Sequence, residues 1–171
     1  MKAIMELLSA SNRPSEDRDR FMRASAYSFV IGGTDAHAKN YGLLLAGGGK
    51  FRLAPLYDIA SWLPYSRNRR EDRLAMSVDG HYHFDGILPR HWEAEARRCG
   101  FDPSRAVAHV RDLLARLPDE ARSLFGACKK EGSATPELAK LVDLMIIRCA
   151  GLAERYGAEE IGSAQSRLPG D

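Results

Sequence analysis

The sequence predicts a mainly α fold, a single helical domain with one short β-hairpin inserted early. Three observations predict it. Apolar residues recur at helical spacing through most of the 171 residues. The pairs Asp102-Pro103 and Thr135-Pro136 read as helix starts, a capping side chain followed by proline at the first helical position. Two short apolar runs flank Gly47-Gly48-Gly49 and read as a hairpin. The length fits one domain, and a chain of this size hides about two-thirds of its unfolded surface.

Ile4, Leu7 and Leu8 share one face of a short first helix, which Asn12 to Pro14 break. Ser15 is the expected N-cap of the second, with Glu16 and Asp17 in a first turn whose dipole favours acids. Phe21, Met22, Ala26, Phe29 and Val30 point to the core, and Gly32-Gly33 end the helix. Tyr41 to Ala46 reads as a buried strand, and Phe51 to Ala54 as its return, which Pro55 terminates.

Between Ile59 and Leu88 the pattern is open. Ser61 to Tyr65 fits a helical turn, Arg67-Asn68-Arg69-Arg70 an exposed loop, and His81 to Phe84 either a short strand or a loop. Pro89 starts a helix through Trp92 and Ala96 that Gly100 stops. Asp102 caps the next, lined by Val107, Val110, Leu113, Leu114 and Leu117, and Pro118 opens another that runs to about Lys130. Thr135 caps the last, lined by Leu138, Leu141, Val142, Met145, Cys149 and Leu152 and ended by Gly157. The domain is thus expected over residues 1–157, with 158–171 as a flexible tail. Trp62 and Trp92 are expected as core anchors.

Composition narrows the class. Hydrophobic residues are 44%, charged residues 28% and the net charge is +2. These values describe an ordinary globular chain and give no argument for nucleic acid on charge alone. Cys99, Cys128 and Cys149 are an odd number with no C-x-x-C pair. They argue against a disulfide framework or zinc site and fit buried free thiols in a reducing cytoplasm. The first residues, MKAIMELLSA, are not a signal peptide, and no apolar run approaches the roughly 20 residues of a membrane span.

The chemistry concentrates in residues 32–58, GGTDAHAKNYGLLLAGGGKFRLAPLYD. Asn40 lies five residues after Asp35 on a polar loop, and the hairpin should bring Asp58 back beside it. Phosphoryl transfer needs a carboxylate to orient the attacking hydroxyl and accept its proton, with hard oxygen ligands to hold Mg²⁺ against phosphates. Asp35 suits the first role; the Asn40 amide oxygen and the Asp58 carboxylate suit the second. Protein kinases use the same order of Asp, Asn five positions on, and a second Asp beyond a hairpin. Turn formation alone would also account for Asp35 and Asn40. Asp35-x-His37, with His81-x-His83, also matches part of a metallophosphatase metal set, although no downstream Asn-His pair follows.

G-G-T-D-A-H-A-K-N, a hairpin, then L-A-P-L-Y-D-I-A-S resembles the HipA family of bacterial toxin serine/threonine kinases. Arg73-Leu74-Ala75-Met76, Gly80 and Pro89-Arg90-His91-Trp92 extend the likeness to nearly the whole chain. The resemblance implies a helical kinase C-lobe-like domain with the hairpin between catalytic loop and metal-binding Asp. It implies Asp35 as catalytic base, His37, Lys39, Asn40, Tyr57 and Asp58 as nucleotide contacts, and Asn40 and Asp58 on the metal. It implies ATP and Mg²⁺ as cofactors and a serine on a component of the translation machinery as substrate. A helix-turn-helix antitoxin is the implied partner, with DNA reached only through it and no membrane. Members also carry an N-terminal lobe with a phosphate-covering loop and a strand lysine. No G-x-G-x-x-G or V-A-I-K precedes Asp35 here, so a separate N-lobe chain is a further expected partner. The alternative is a truncated module that binds the antitoxin without catalysis. The Arg67–Arg70 loop is either a solvated loop or a docking site for an acidic partner.

Overall fold

The computed structural model describes residues 1–66 and 72–165. Five helices and two separate hairpins follow in the order α1 (Lys2–Leu8), α2 (Pro14–Val30), β1 (Leu43–Leu45), β2 (Phe51–Leu53), β3 (Arg73–Val78), β4 (His81–His83), α3 (Pro89–Arg98), α4 (Pro103–Lys130) and α5 (Pro136–Gln165). Both hairpins are antiparallel. The mainly α expectation holds.

α4 is the spine, packed along α2, α3 and α5. One continuous core runs from Met5 and Leu8 through Phe21, Phe29, Trp92, Val110 and Leu114 to Leu152 and Tyr156. At its centre Phe29 meets Trp92 edge-on at 5.7 Å and Tyr156 at 6.2 Å. Fully buried Trp92 satisfies its indole N–H on the Tyr156 hydroxyl at 3.0 Å, which avoids a buried orphan donor. Arg148 of α5 donates from Nε to the Val30 carbonyl at 2.9 Å and from Nη2 to that of Phe29 at 2.8 Å. A cation thus closes the carbonyl end of α2, the end its dipole makes negative.

Several expectations need correction. α2 starts at Pro14 with Arg13 in the capping position, not at Ser15, because proline at the first position supplies the start. α4 runs unbroken through Pro118. Proline removes one helical hydrogen bond at about 3 kcal/mol, and buried Leu114 and Leu117 hold the helix on its partners across that gap. α5 continues past Gly157 to Gln165, since a helical glycine costs only about 1 kcal/mol. β1 is not buried: Leu44 is 56% and Leu45 81% exposed, as the hairpin leaves the core after Leu43. Trp62 is only half-buried, and so is Cys128, whereas Trp92, Cys99 and Cys149 are buried.

The second hairpin was left open by the sequence pattern. Asp79 (φ +49) and Gly80 (φ +80) form its two-residue turn between paired Val78 and His81. Both central residues take the left-handed conformation that Asp-Gly favours.

Candidate active site

Two loops cross to build the site. α2 ends at Val30, and Gly32 (φ +68) turns the chain out toward Asp35. A Cβ at Gly32 would stand 2.8 Å from Leu63 Cδ2, and one at Gly33 would stand 3.2 Å from the Ala60 carbonyl oxygen. Only glycine lets the two loops pass this closely. The Trp62 N–H then donates to the Gly32 carbonyl at 3.0 Å.

Beyond the glycines the chain folds on Asp35. Its carbonyl accepts from the His37 N–H at 2.8 Å and from Asn40 Nδ2 at 2.8 Å. The Asn40 N–H bonds the His37 carbonyl at 2.9 Å, closing a 3₁₀ turn over Ala38–Asn40. Asn40 is 9% exposed, the most buried of the expected site residues.

The β1–β2 hairpin then returns the chain to the same place. The Ala54 N–H bonds the Gly42 carbonyl at 2.9 Å at its base. The Tyr57 hydroxyl donates to the Lys39 carbonyl at 3.0 Å, and Asn40 Nδ2 reaches Asp58 Oδ2 at 3.4 Å. Asp58 takes φ +54, a conformation that L residues rarely hold and that Asp tolerates better than most. Asp35, Asn40, Tyr57 and Asp58 line one cleft with Tyr27, Tyr41 and Ile59. Burial pushes the Tyr27 and Tyr41 phenols up from their ordinary range.

The hairpin is anchored from outside the cleft. Arg52 Nε bonds both carboxylate oxygens of Asp17, at 3.0 and 2.9 Å, and its guanidinium reaches Glu16 at 3.0 Å. The Asp17 side chain is fully buried. Burial pushes its carboxyl up, and hydrogen bonds led by Arg52 outweigh that and hold it below the ordinary range. Asn12 N–H on the Phe51 carbonyl at 2.8 Å and Arg20 on that of Leu53 at 3.3 Å seal the outer edge of β2. None of these anchors was read from the sequence: Arg52 stands out as a charge between Phe51 and Leu53, but Asp17 lies in a charged run and reads only as a first-turn acid.

The geometry constrains what the groups can do. Carbonyl and carboxylate oxygens only accept, so the NH₂ of Asn40 must face Asp35 and Asp58. Its Oδ1 is then the atom left to offer a cation. Among the described residues no cluster of three His, Cys, Asp or Glu side chains could hold a metal ion. The Asn40–Asp58 pair therefore fits a cation that takes most ligands from substrate oxygens, as Mg²⁺ does. Asp35 is 65% exposed on its side chain, with Oδ1 3.0 Å from His37 Nε2. It is open to an incoming hydroxyl. The lysine side chain of Lys39 is exposed beside them.

Comparison with known proteins settles the ancestry. Residues 1–121 match the HipA-like C-terminal domain. The chain belongs to that family. It is 38% identical over 132 residues to Y4mE of Sinorhizobium fredii, a protein that carries the name of a kinase; the match covers 72% of this chain and 31% of that protein. Its fold is similar to a chain in the Shewanella oneidensis MR-1 complex of HipA, HipB and operator DNA. There the TM-score is 0.70 at 19% identity, over 90% of this chain and 35% of the other. The chain thus spans about a third of the length of these relatives. No described helix is long and apolar enough to cross a membrane.

The alternative histidine site does not form. His81 stacks on His91 at 3.9 Å and bonds the Asp79 carbonyl, while the exposed His83 lies on β4. The Arg67–Arg70 loop lies outside the described residues.

Proposed function

We propose that this chain supplies the base and the metal ligands of a HipA-type serine/threonine protein kinase. One observation carries the reading: Asn40 Nδ2 bridges the Asp35 carbonyl and the Asp58 carboxylate on the floor of one cleft. Residues 18 positions apart meet there in the order that phosphoryl transfer requires.

In this reading Asp35 orients a serine hydroxyl and takes its proton as the oxygen bonds the γ-phosphorus and ADP leaves. Asn40 Oδ1 and Asp58 hold Mg²⁺, which when bound neutralises phosphate charge. His37 and Lys39 stand on the phosphate side of the turn. Tyr57 braces that turn through the Lys39 carbonyl, so its hydroxyl serves the nucleotide site by position. An N-lobe of the kind the family carries would clamp ATP, and exposed Leu44 and Leu45 give the hairpin an apolar surface for it to cover. The substrate is a serine on a protein of the translation machinery, in the cytoplasm. A helix-turn-helix antitoxin is the regulatory partner, with operator DNA reached through it; the HipA, HipB and DNA assembly of the fold neighbour motivates that part.

Isolated, the chain should bind Mg-ATP only weakly by calorimetry. Mixed with an N-lobe protein of the same family, it should transfer labelled phosphate from ATP to a serine substrate. Asp35→Ala or Asp58→Ala should each lower the rate at least a hundredfold, the scale of lost base or charge stabilisation. Equal transfer by the Asp35→Ala assembly would sink the base assignment. Stable antitoxin binding with no phosphate transfer under any pairing would favour a truncated antitoxin-binding module instead.

A further inference from the structure

Ser61 ends the L-A-P-L-Y-D-I-A-S motif, and nothing above gives it a role. Its hydroxyl donates to the Ile31 carbonyl at 2.7 Å and accepts from the Leu63 N–H at 3.3 Å. Ile31 is the capping residue at the end of α2, where helix carbonyls lose their helical partners. The next residue, Trp62, bonds Gly32 through backbone. Residues 31–33, which lead into Asp35, therefore lie against residues 60–63, which lead out of Asp58, fastened by the Ser61 side chain and the Trp62–Gly32 backbone bond. A hydroxyl can donate to a carbonyl and accept from an N–H at once; alanine can do neither.

We infer that Ser61 is the positioning residue of this cleft: its clamp between the two loops sets the spacing at which Asn40 meets Asp58. The purpose assigned to that spacing rests on the phosphotransfer reading above, whereas the clamp itself does not. Asn40 holds Asp35 at 2.8 Å but Asp58 only at 3.4 Å. The cross-loop half of the bridge is thus the longer contact, and it depends on the backbones being held together elsewhere. Ser61 lies on the side of Asp58 away from the hairpin, so the loop carrying Asp58 is fixed at both ends: by Arg52 and Asp17 through the hairpin, and by Ser61 through α2.

The test uses the full ¹⁵N-labelled chain with Mn²⁺ alone as the metal probe. In Ser61→Ala the side-chain NH₂ signals of Asn40 should move toward those of solvent-exposed asparagine and exchange about tenfold faster. Ser61→Thr, which keeps the hydroxyl, should restore both. The Mn²⁺ concentration that half-broadens the Asn40 and Asp58 signals should rise about tenfold in Ser61→Ala. Unmoved Asn40 signals in Ser61→Ala would overturn the inference. So would equal Mn²⁺ broadening in the two proteins, because that is what a merely structural serine gives. If both proteins resist millimolar Mn²⁺, the two ligands do not hold the ion without nucleotide, and the Asn40 shifts alone decide the clamp. If Ser61→Ala does not fold, native-state exchange of the wild type decides. Trp62, Leu63 and Asn40 amides opening together would support the clamp, and independent opening of Asn40 would refute it.

Discussion

The two hairpins each hang from a fully buried carboxylate on a helix, Asp17 for β1–β2 and Glu95 for β3–β4. Asp17 grips a strand: it bonds the guanidinium of Arg52, the middle residue of β2. Glu95 grips a turn: its Oε2 accepts the Asp79 N–H at 3.1 Å and pairs with Arg98 of its own helix. The first arrangement fixes a whole hairpin whose base carries the site and leaves its Gly47–Gly49 tip outside. The second fixes the tip and leaves the strands to irregular pairing, with only Arg73↔His83 and Val78↔His81 in register. Placing a site requires holding the base of a hairpin, whereas packing one requires holding only its turn. β3 is the packing element: Leu74 and Met76 line a small hollow with Ala36 and Tyr41 of the loop that follows Asp35.

That contrast predicts unequal costs. Asp17→Asn removes the buried one of the two carboxylate partners of Arg52 and leaves exposed Glu16. Losing the charge of a fully buried hydrogen-bond acceptor costs about 3 kcal/mol, the upper end for such bonds, measurable by urea unfolding at neutral pH. The effect must also be pH-dependent. The Asp17 carboxyl sits below its ordinary value of 3.8 in the fold. Its contribution is therefore complete above that value and is lost as pH falls through the folded one. The stability gap between wild type and Asp17→Asn should be flat above about pH 5 and close below about pH 4. A gap that widens in acid would contradict the anchor.

Glu95→Gln should cost less, about 2 kcal/mol, because its partner Arg98 is 49% exposed, so water screens that pair more than the pair at Arg52, and glutamine keeps an oxygen for the Asp79 N–H. A larger loss here than at Asp17 would invert the comparison. Smaller still are the tips. Gly48 (φ +70) and Gly80 (φ +80) both have open space where a Cβ would go. Alanine at either meets only the left-handed backbone penalty, about 1 kcal/mol. Equal costs would show that neither tip carries packing; a larger cost at Gly80 would show that its turn does.

The fold was legible in the sequence wherever a local signal had one physical meaning. Asp102 caps α4 through the Arg105 N–H at 2.9 Å, and Thr135 caps α5 through the Leu138 N–H at 3.2 Å. The second hairpin had its signal too, since Asp79-Gly80 is a strong tight-turn dipeptide; the alternation over His81 to Phe84 is too short to separate strand from loop. Pro118 and Gly157 misled because tertiary packing overrides a local penalty of a few kcal/mol. The meeting of Asn40 with Asp58 was legible because hairpin closure is a topological consequence of the turn. The Ser61 clamp and the Arg52–Asp17 anchor were not, since each joins residues 30 or more positions apart without a local pattern.

The finest test reads the second anchor by chemistry. Cys99 Sγ donates to Glu95 Oε1 at 3.4 Å. Burial, reinforced by the Glu95 charge, pushes its thiol up to about 11. Alkylation requires thiolate and access, so iodoacetamide at neutral pH should modify half-buried Cys128 first and spare Cys99, as mass spectrometry of the peptides would show. Glu95→Gln removes the charge that disfavours the thiolate and loosens the turn above it. Cys99 should then label several times faster while Cys149, buried on α5, keeps its rate. If Cys99 and Cys149 accelerate together, the substitution has loosened the whole core, and the β3–β4 turn is not held by Glu95 locally in the way that β2 is held by Asp17.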